Sequence, residues 1–258
     1  PFRTDWPRKY IDGLATAELR NRFRLVTGDG GAVPFQLSSI ERNVESKLLT
    51  ADGRRGSCVI DLFHVTAEVD LPPCGFSGIR VEATDDGTRN FGSLMMAGLS
   101  ADTGVIGFEL GADGSGTLID RRSGHTYPGL FLYEDCGDSG DGWTRGQLVD
   151  DIVYRTYGSR VTTAVKEDGP LRTVFRVERE FDLPAGLDRK SGARSTQRAT
   201  LRVTDLIYVE KGAPCLRVRT HVDNPCGDHR FRVLFPTHID ADQSFAETPF
   251  AVVDRDIA

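Results

Sequence analysis

The chain has 258 residues, a formal net charge of −6 and charged side chains of both signs, which is length for one large or two ordinary domains and no cationic excess to grip a polyanion. Nucleic acid is therefore not an expected partner. No apolar run approaches the about 20 residues of a membrane-spanning helix, Pro1-Phe2-Arg3-Thr4-Asp5-Trp6 is not a secretory leader, and the scattered Cys58, Cys74, Cys136, Cys215 and Cys226 suit neither a disulfide framework nor a Cys-x-x-Cys zinc site. These features predict a soluble chain in a reducing compartment, the cytoplasm, with no membrane partner.

Helical periodicity is nearly absent, and only Leu14 to Phe23 reads equally well as helix or strand. Phe23 to Val26, Val33 to Leu37, Cys58 to Val69 and Gly78 to Glu82 read as strands, separated by Gly28-Asp29-Gly30-Gly31 and Leu71-Pro72-Pro73-Cys74-Gly75 turns. The pattern predicts an all-β chain opening with a small Ig-like sandwich over residues 1–88. A polar break at Thr84 to Asn90 marks the boundary, and Leu94, Met95, Met96 and Leu99 just after it are apolar enough to dock the next part on the first.

From Gly111 to Trp143 the chain organises itself more tightly. Gly114, Gly116 and Gly124 occupy turn positions that call for positive φ, Thr117-Leu118-Ile119 reads as a strand, and a second strand, Leu130-Phe131-Leu132-Tyr133, leads into Glu134-Asp135-Cys136-Gly137-Asp138-Ser139-Gly140-Asp141-Gly142-Trp143. Asp138 and Asp141 are flanked by glycines that let the backbone bend and aim both carboxylates at one point, as a pair of sugar hydroxyls requires. The ordinary alternative is a solvated turn in which each aspartate bonds its own backbone. A calcium site is a further reading, although the spacing is not that of an EF-hand.

Further on, Val105 to Leu110, Ile152 to Tyr157, Ser159 to Lys166, Leu171 to Phe181, Ala199 to Glu210, Cys215 to Asp223 and His229 to Phe235 alternate with period two. Strands of this length suit two large stacked sheets. Leu183 to Arg198 is basic, rich in Gly and Ser and without alternation, so an exposed loop is expected there. His238, Asp240 and Asp242 form a His-x-Asp-x-Asp run, but one strand rarely completes a closed metal site, and no metal ligand is assigned. Nor is any catalytic residue, since no nucleophile elbow, phosphate loop or triad spacing occurs.

Two blocks carry a family resemblance. The first is Leu118-Ile119-Asp120-Arg121-Arg122-Ser123-Gly124 with Tyr127-Pro128-Gly129-Leu130 and the acidic run; the second is Val222-Asp223-Asn224-Pro225, Asp228 to Thr237, then Ala246-Glu247-Thr248-Pro249-Phe250 with Val252-Val253. In this order and spacing they resemble the β-sandwich region of glycoside hydrolase family 38, the α-mannosidases of bacterial type. The resemblance implies a galactose-mutarotase-like supersandwich over residues 89–258, truncated at its C-terminal end, within a longer retaining α-mannosidase. It implies Asp138, Asp141 and Trp143 as substrate-binding residues, with Trp143 where a tyrosine is more usual and Thr144 where an asparagine is. The family's nucleophile and zinc ligands belong to an upstream catalytic barrel, so no cofactor is expected in this chain and zinc is expected there. The implied partners are an α-mannoside and the chain's own catalytic domain, self-association being left open, and the piece alone is not expected to be active. Two rivals stand beside this: a stand-alone carbohydrate-binding module using Trp143, Tyr133 and the loop carboxylates, and an epimerase in which His221 or His229 faces Glu247.

Overall fold

The computed structural model describes residues 2–3, 23–49, 55–84, 86, 91–156 and 159–257. The ambiguous stretch before Phe23 and most of the break at Thr84 to Asn90 lie outside them. Among the described residues every regular element is a strand, so the fold is all-β, with antiparallel pairing along Phe23–Thr27, Phe35–Leu49, Leu132–Gly137 and Gln243–Thr248 among others.

In chain order the strands are β1 (Phe2–Arg3), β2 (Phe23–Thr27), β3 (Ala32–Val33), β4 (Phe35–Leu49), β5 (Arg55–Ala67), β6 (Ile79–Ala83), β7 (Ser100–Asp102), β8 (Ile106–Leu110), β9 (Gly116–Asp120) and β10 (Thr126–Leu130). They continue as β11 (Leu132–Gly137), β12 (Tyr154–Arg155), β13 (Arg160–Glu167), β14 (Arg172–Pro184), β15 (Arg198–Glu210), β16 (Arg217–Asp223), β17 (His229–Leu234), β18 (Gln243–Thr248) and β19 (Ala251–Asp256). The sheets have the orders β1-β5-β4, β3-β2-β6, β10-β9-β8-β7, β12-β11-β17, β13-β14-β15-β16 and β18-β19. Two compact units share the chain: residues 1–108, 162–178 and 203–222 form the first, and residues 109–161, 179–202 and 223–258 the second. The units interleave along the sequence, because β14 and β15 each contribute residues to both.

In the first unit, the short strands close over an aromatic core. Phe23 stacks on Phe35 at 5.1 Å and meets Phe63 edge-on at 5.6 Å, and Leu25 and Val33 complete the cluster. Each such side chain contributes about 1.5–3 kcal/mol by leaving water. β4 runs on to Leu49, well beyond the expected end at Leu37. Its ladder with β5 shifts register between Leu37 and Ser39 and again between Glu41 and Val44, where Asn43 takes φ 56°; these bulges erase the period-two signal. Of Leu94, Met95, Met96 and Leu99, Met96 is exposed and the other three are half-buried. Within this unit Gln36 is a buried amide: its Nε2 donates to Glu167 Oε1 (2.7 Å) and Arg172 O (2.8 Å), and its Oε1 accepts from the Leu171 and Arg172 N–H groups. All the amide's capacity is used, as burial demands.

In the second unit, β11 lies between β12 and β17. Tyr133 stacks on Phe231 at 5.3 Å, Phe181 meets Phe231 edge-on at 5.6 Å, and the fully buried Arg179 spreads its guanidinium over the Tyr133 ring and donates to Gly114 O at 2.5 Å. Cation and ring satisfy one another where water is excluded. Gly114 and Gly124 have the expected positive φ, at 78° and 72°; Gly116 does not, and opens β9 as ordinary extended chain.

Candidate functional site

The strand expected over Leu130 to Tyr133 breaks at Phe131, whose φ is 63°, and β11 then runs through Gly137. Glu134 and Asp135 are thus strand residues, not part of the loop. Strand alternation sends their side chains to opposite faces, yet both are buried, at 4% and 1% exposure. Buried carboxylates need cations or donors. Glu134 accepts from Arg155 Nε at 2.9 Å and from Arg232 Nε at 3.0 Å. Asp135 accepts from or pairs with His229 Nδ1 and Arg194 Nη1, the latter 2.6 Å from Oδ2. Arg232 first, then Arg155, holds the Glu134 carboxyl below its ordinary value.

Beyond Gly137 the acidic loop is a built hairpin. Gly137 N–H donates to Asp151 Oδ2 (2.8 Å) and Asp138 N–H to Asp228 O (2.9 Å), which fixes the root. Ser139 N–H then donates to Gly146 O, and Asp141 N–H to Thr144 O. Asp138 Oδ1 accepts from the N–H groups of Gly140 (2.9 Å) and Gly146 (2.8 Å); Asp141 Oδ1 accepts from those of Trp143 (2.8 Å) and Thr144 (2.7 Å). These backbone bonds lower both carboxyls from their ordinary value. Glycine is obligatory at the crossing, since a Cβ at Gly140 would lie 1.8 Å from Thr144 O.

The structure therefore gives each aspartate a job in the turn through one oxygen, leaving Oδ2 outside these bonds, and places Trp143 at the tip with 97% of its surface exposed. Tyr133, grouped with Trp143 in the binding-module reading, is 3% exposed beneath Phe231 and Arg179 and cannot offer a ring to a ligand. His229 is spent on Asp135, which removes it from an epimerase groove. His238, Asp240 and Asp242 lie mostly outside strands, with His238 at φ 54°, and among the described residues no group of three or more His, Cys, Asp or Glu side chains is set to hold a metal ion.

Beside β12 a cavity of about 610 Å³ opens within this unit, lined by Tyr154, Arg155, Arg160, Glu180, Asp182 and Arg198 among others. Its charges are largely matched: Arg160 and Arg202 pair with Glu180, and Arg198 Nε donates to Asp182 at 3.1 Å while its Nη1 donates to Tyr154 Oη at 2.9 Å. The expected loose loop from Leu183 to Arg198 is anchored here. Arg194 and Arg198 both lie over the Tyr154 ring, and Leu187 bridges Arg194 across the loop. Burial, with the Asp135 charge adding to it, pushes the Cys226 thiol up from its ordinary value.

No protein-family model matches the chain. A putative mannosylglycerate hydrolase from Halalkalibacterium halodurans is 27% identical over 158 residues, covering 55% of this chain and 18% of that protein. The crystal structure of an α-mannosidase from Enterococcus faecalis V583 superposes with a TM-score of 0.77 at 20% identity, over 92% of this chain and 28% of that one. A glycosyl hydrolase family 38 protein from Enterococcus faecalis matches with the same score and identity, over 92% and 30%. The chain thus spans less than a third of the length of these proteins. In fold the chain resembles, over 92% of its length, a part of these two Enterococcus faecalis structures, and in sequence 55% of it is similar to a part of the putative mannosylglycerate hydrolase.

Proposed function

We propose that this chain is a non-catalytic β-sandwich portion of a retaining α-mannosidase-like glycoside hydrolase, supporting the active site and lining part of the sugar cleft through Asp138, Asp141 and Trp143. The observation that carries the reading is the ordered hairpin that projects a fully solvated indole on an otherwise polar, glycine-fixed tip. An aromatic ring held by backbone bonds rather than by its own packing is free to meet the apolar face of a sugar at little entropic cost. The names of its relatives, an α-mannosidase and a mannosylglycerate hydrolase, both concern a mannosyl group, so an α-mannoside is the proposed ligand.

On this reading residues 1–88 are an Ig-like sandwich and residues 89–258 a mutarotase-like supersandwich. The nucleophile and the zinc ligands lie in an upstream catalytic domain, which is the main partner, and the enzyme is cytoplasmic. A retaining glycosidase needs two carboxyl groups about 5–5.5 Å apart across the scissile bond; Glu134 and Asp135, each locked to cations, are unsuited to that work. In the longer enzyme, Asp141→Ala and Trp143→Ala should each lower kcat/KM on an aryl α-mannoside on the order of tenfold with the fold intact, while the 258-residue chain shows no turnover with or without zinc. Unchanged kcat/KM in both variants, or zinc-dependent turnover by the chain alone, would overturn the reading.

A further inference from the structure

A second cavity of about 500 Å³ lies within the unit that holds β11, shares only Ser159 with the first, and has no part of the acidic loop in its wall. Its size falls in the range of about 300–1,000 Å³ usual for small-molecule sites. The backbone is bent to make it. Gly129 (φ 71°) and Phe131 (φ 63°) both take left-handed conformations within three positions, and the β9–β10 ladder shifts register between Tyr127 and Leu130. For a phenylalanine that conformation is strained. It is held by burial of the ring, which meets Phe235 edge-on at 5.9 Å. Strain of this kind, sustained by the surrounding packing, gathers at ligand sites.

The polar part of the wall is one-sided. Asp113 Oδ1 accepts from Ser115 N–H at 3.0 Å and Ser115 Oγ–H at 2.7 Å, so Oδ2 keeps its lone pairs. These bonds, with Ser115 the largest cause, hold the Asp113 carboxyl below its ordinary value and keep it anionic. Ser159 Oγ–H donates to Thr156 O at 2.8 Å, and Thr156 Oγ1 is engaged by both the N–H and the carbonyl of Tyr133. The hydroxyl protons of these side chains are thus directed into the protein, and what the described polar side chains leave to a ligand is acceptor capacity. Among the described residues no Lys or Arg lines it. A sugar acid or a phosphate would meet a carboxylate and no cation, whereas a neutral polyol brings the donors this wall lacks. Leu132 and Val161, both half-buried, add an apolar side of the kind the C–H face of a sugar ring prefers.

We propose that this cavity is a saccharide-binding site separate from the acidic loop, taking an uncharged sugar whose hydroxyls donate to Asp113 and whose apolar face lies along Leu132 and Val161. The choice of a sugar over other neutral polyols rests on the carbohydrate function proposed above; the acceptor-only chemistry does not.

The test is an NMR titration of the purified chain with methyl α-mannopyranoside, with gluconate as the anionic probe. The expected result is saturable shifts of the Asp113, Ser115 and Val161 amides with the glycoside and none with gluconate. Asp113→Asn, which keeps an acceptor for Ser115 and so the turn, should weaken binding about tenfold. Val161→Trp should fill the cavity and abolish these shifts, and Trp143→Ala should remove any shifts in the acidic loop while those of Asp113, Ser115 and Val161 persist. If Val161→Trp does not fold, Asp113→Asn decides alone. Absence of saturable shifts, tighter binding of gluconate, or wild-type affinity in Asp113→Asn would overturn the inference. Loss of binding in Trp143→Ala with Asp113→Asn unaffected would overturn it while leaving the loop as the sugar contact.

Discussion

Glu134 and Asp135 stand a few residues before Asp138 and Asp141, in one acidic run, yet the two pairs obey different physics. The first pair is buried in β11 and answered by partners brought from far along the chain, the guanidinium groups of Arg155, Arg194 and Arg232 and the His229 ring. The second pair is answered by N–H groups within eight residues, so it can remain at the surface. A buried carboxylate becomes part of the fold because removing its partner leaves a charge stranded in low dielectric. An exposed carboxylate that shapes only its own turn leaves the rest of the protein indifferent to it. The root is thus where stability resides, and the tip is where chemistry is free to change.

The largest expected effect follows from breaking the root. Asp135→Ala leaves both the Arg194 guanidinium, 7% exposed, and His229 without their anion, and breaking a buried pair from one side costs about 3–5 kcal/mol. Urea unfolding of the variant should show this as a lower midpoint at unchanged slope. Replacing both partners, Asp135→Leu with Arg194→Met, should cost less than the single change, because no unpaired charge remains. A loss below about 1 kcal/mol in Asp135→Ala, the scale of a surface pair, would erase the distinction between root and tip.

Acid should reveal the same contrast with a smaller amplitude. Glu134 has a folded pKa depressed below its ordinary 4.5 by Arg232 and Arg155. A depressed carboxyl stabilises the fold fully above its unfolded value, and that contribution is lost as pH falls through the folded one. Melting temperature should therefore fall below about pH 4.5, and Glu134→Gln should flatten part of that fall while costing about 1.5–3 kcal/mol at neutral pH. Some acid sensitivity remains in the variant, since Asp138 and Asp141 are lowered in the same direction. An acid limb identical in wild type and variant would show that the two arginines do not hold Glu134.

How much of this could be read in the sequence depends on the range of the interaction. The period-two runs in Arg172 to Phe181 and Leu201 to Val209 became β14 and β15 with their alternate residues buried, because a strand's facing is local. The glycine-fixed turn at Asp138 to Trp143 was legible for the same reason. Phe131 was not: a left-handed phenylalanine is imposed by its ring's burial against Phe235, and no neighbour announces it. Nor did the run of acids show which would meet arginines, since Arg232 reaches Glu134 across 98 residues. The basic stretch from Leu183 to Arg198 looked loose for the converse reason: Tyr154, the ring that receives Arg194 and Arg198, lies in a strand of two residues with too little alternation to mark it.

The smallest effect on stability should come from the tip. Trp143 buries almost nothing, at 97% exposure, and its contribution to the turn is a backbone N–H donated to Asp141 that alanine supplies equally well. Surface substitutions clear of special contacts stay within about ±0.5 kcal/mol, and at this chain length 1 kcal/mol moves Tm by about 2–4 °C. Trp143→Ala should therefore melt within about 2 °C of the wild type. A large aromatic side chain that the fold does not require, on a hairpin the fold does hold, is available to a ligand or to another part of a longer enzyme. A drop of several degrees would mean that the indole packs on this chain after all, and the tip would then belong with the root as a structural element and lose its standing as a sugar contact.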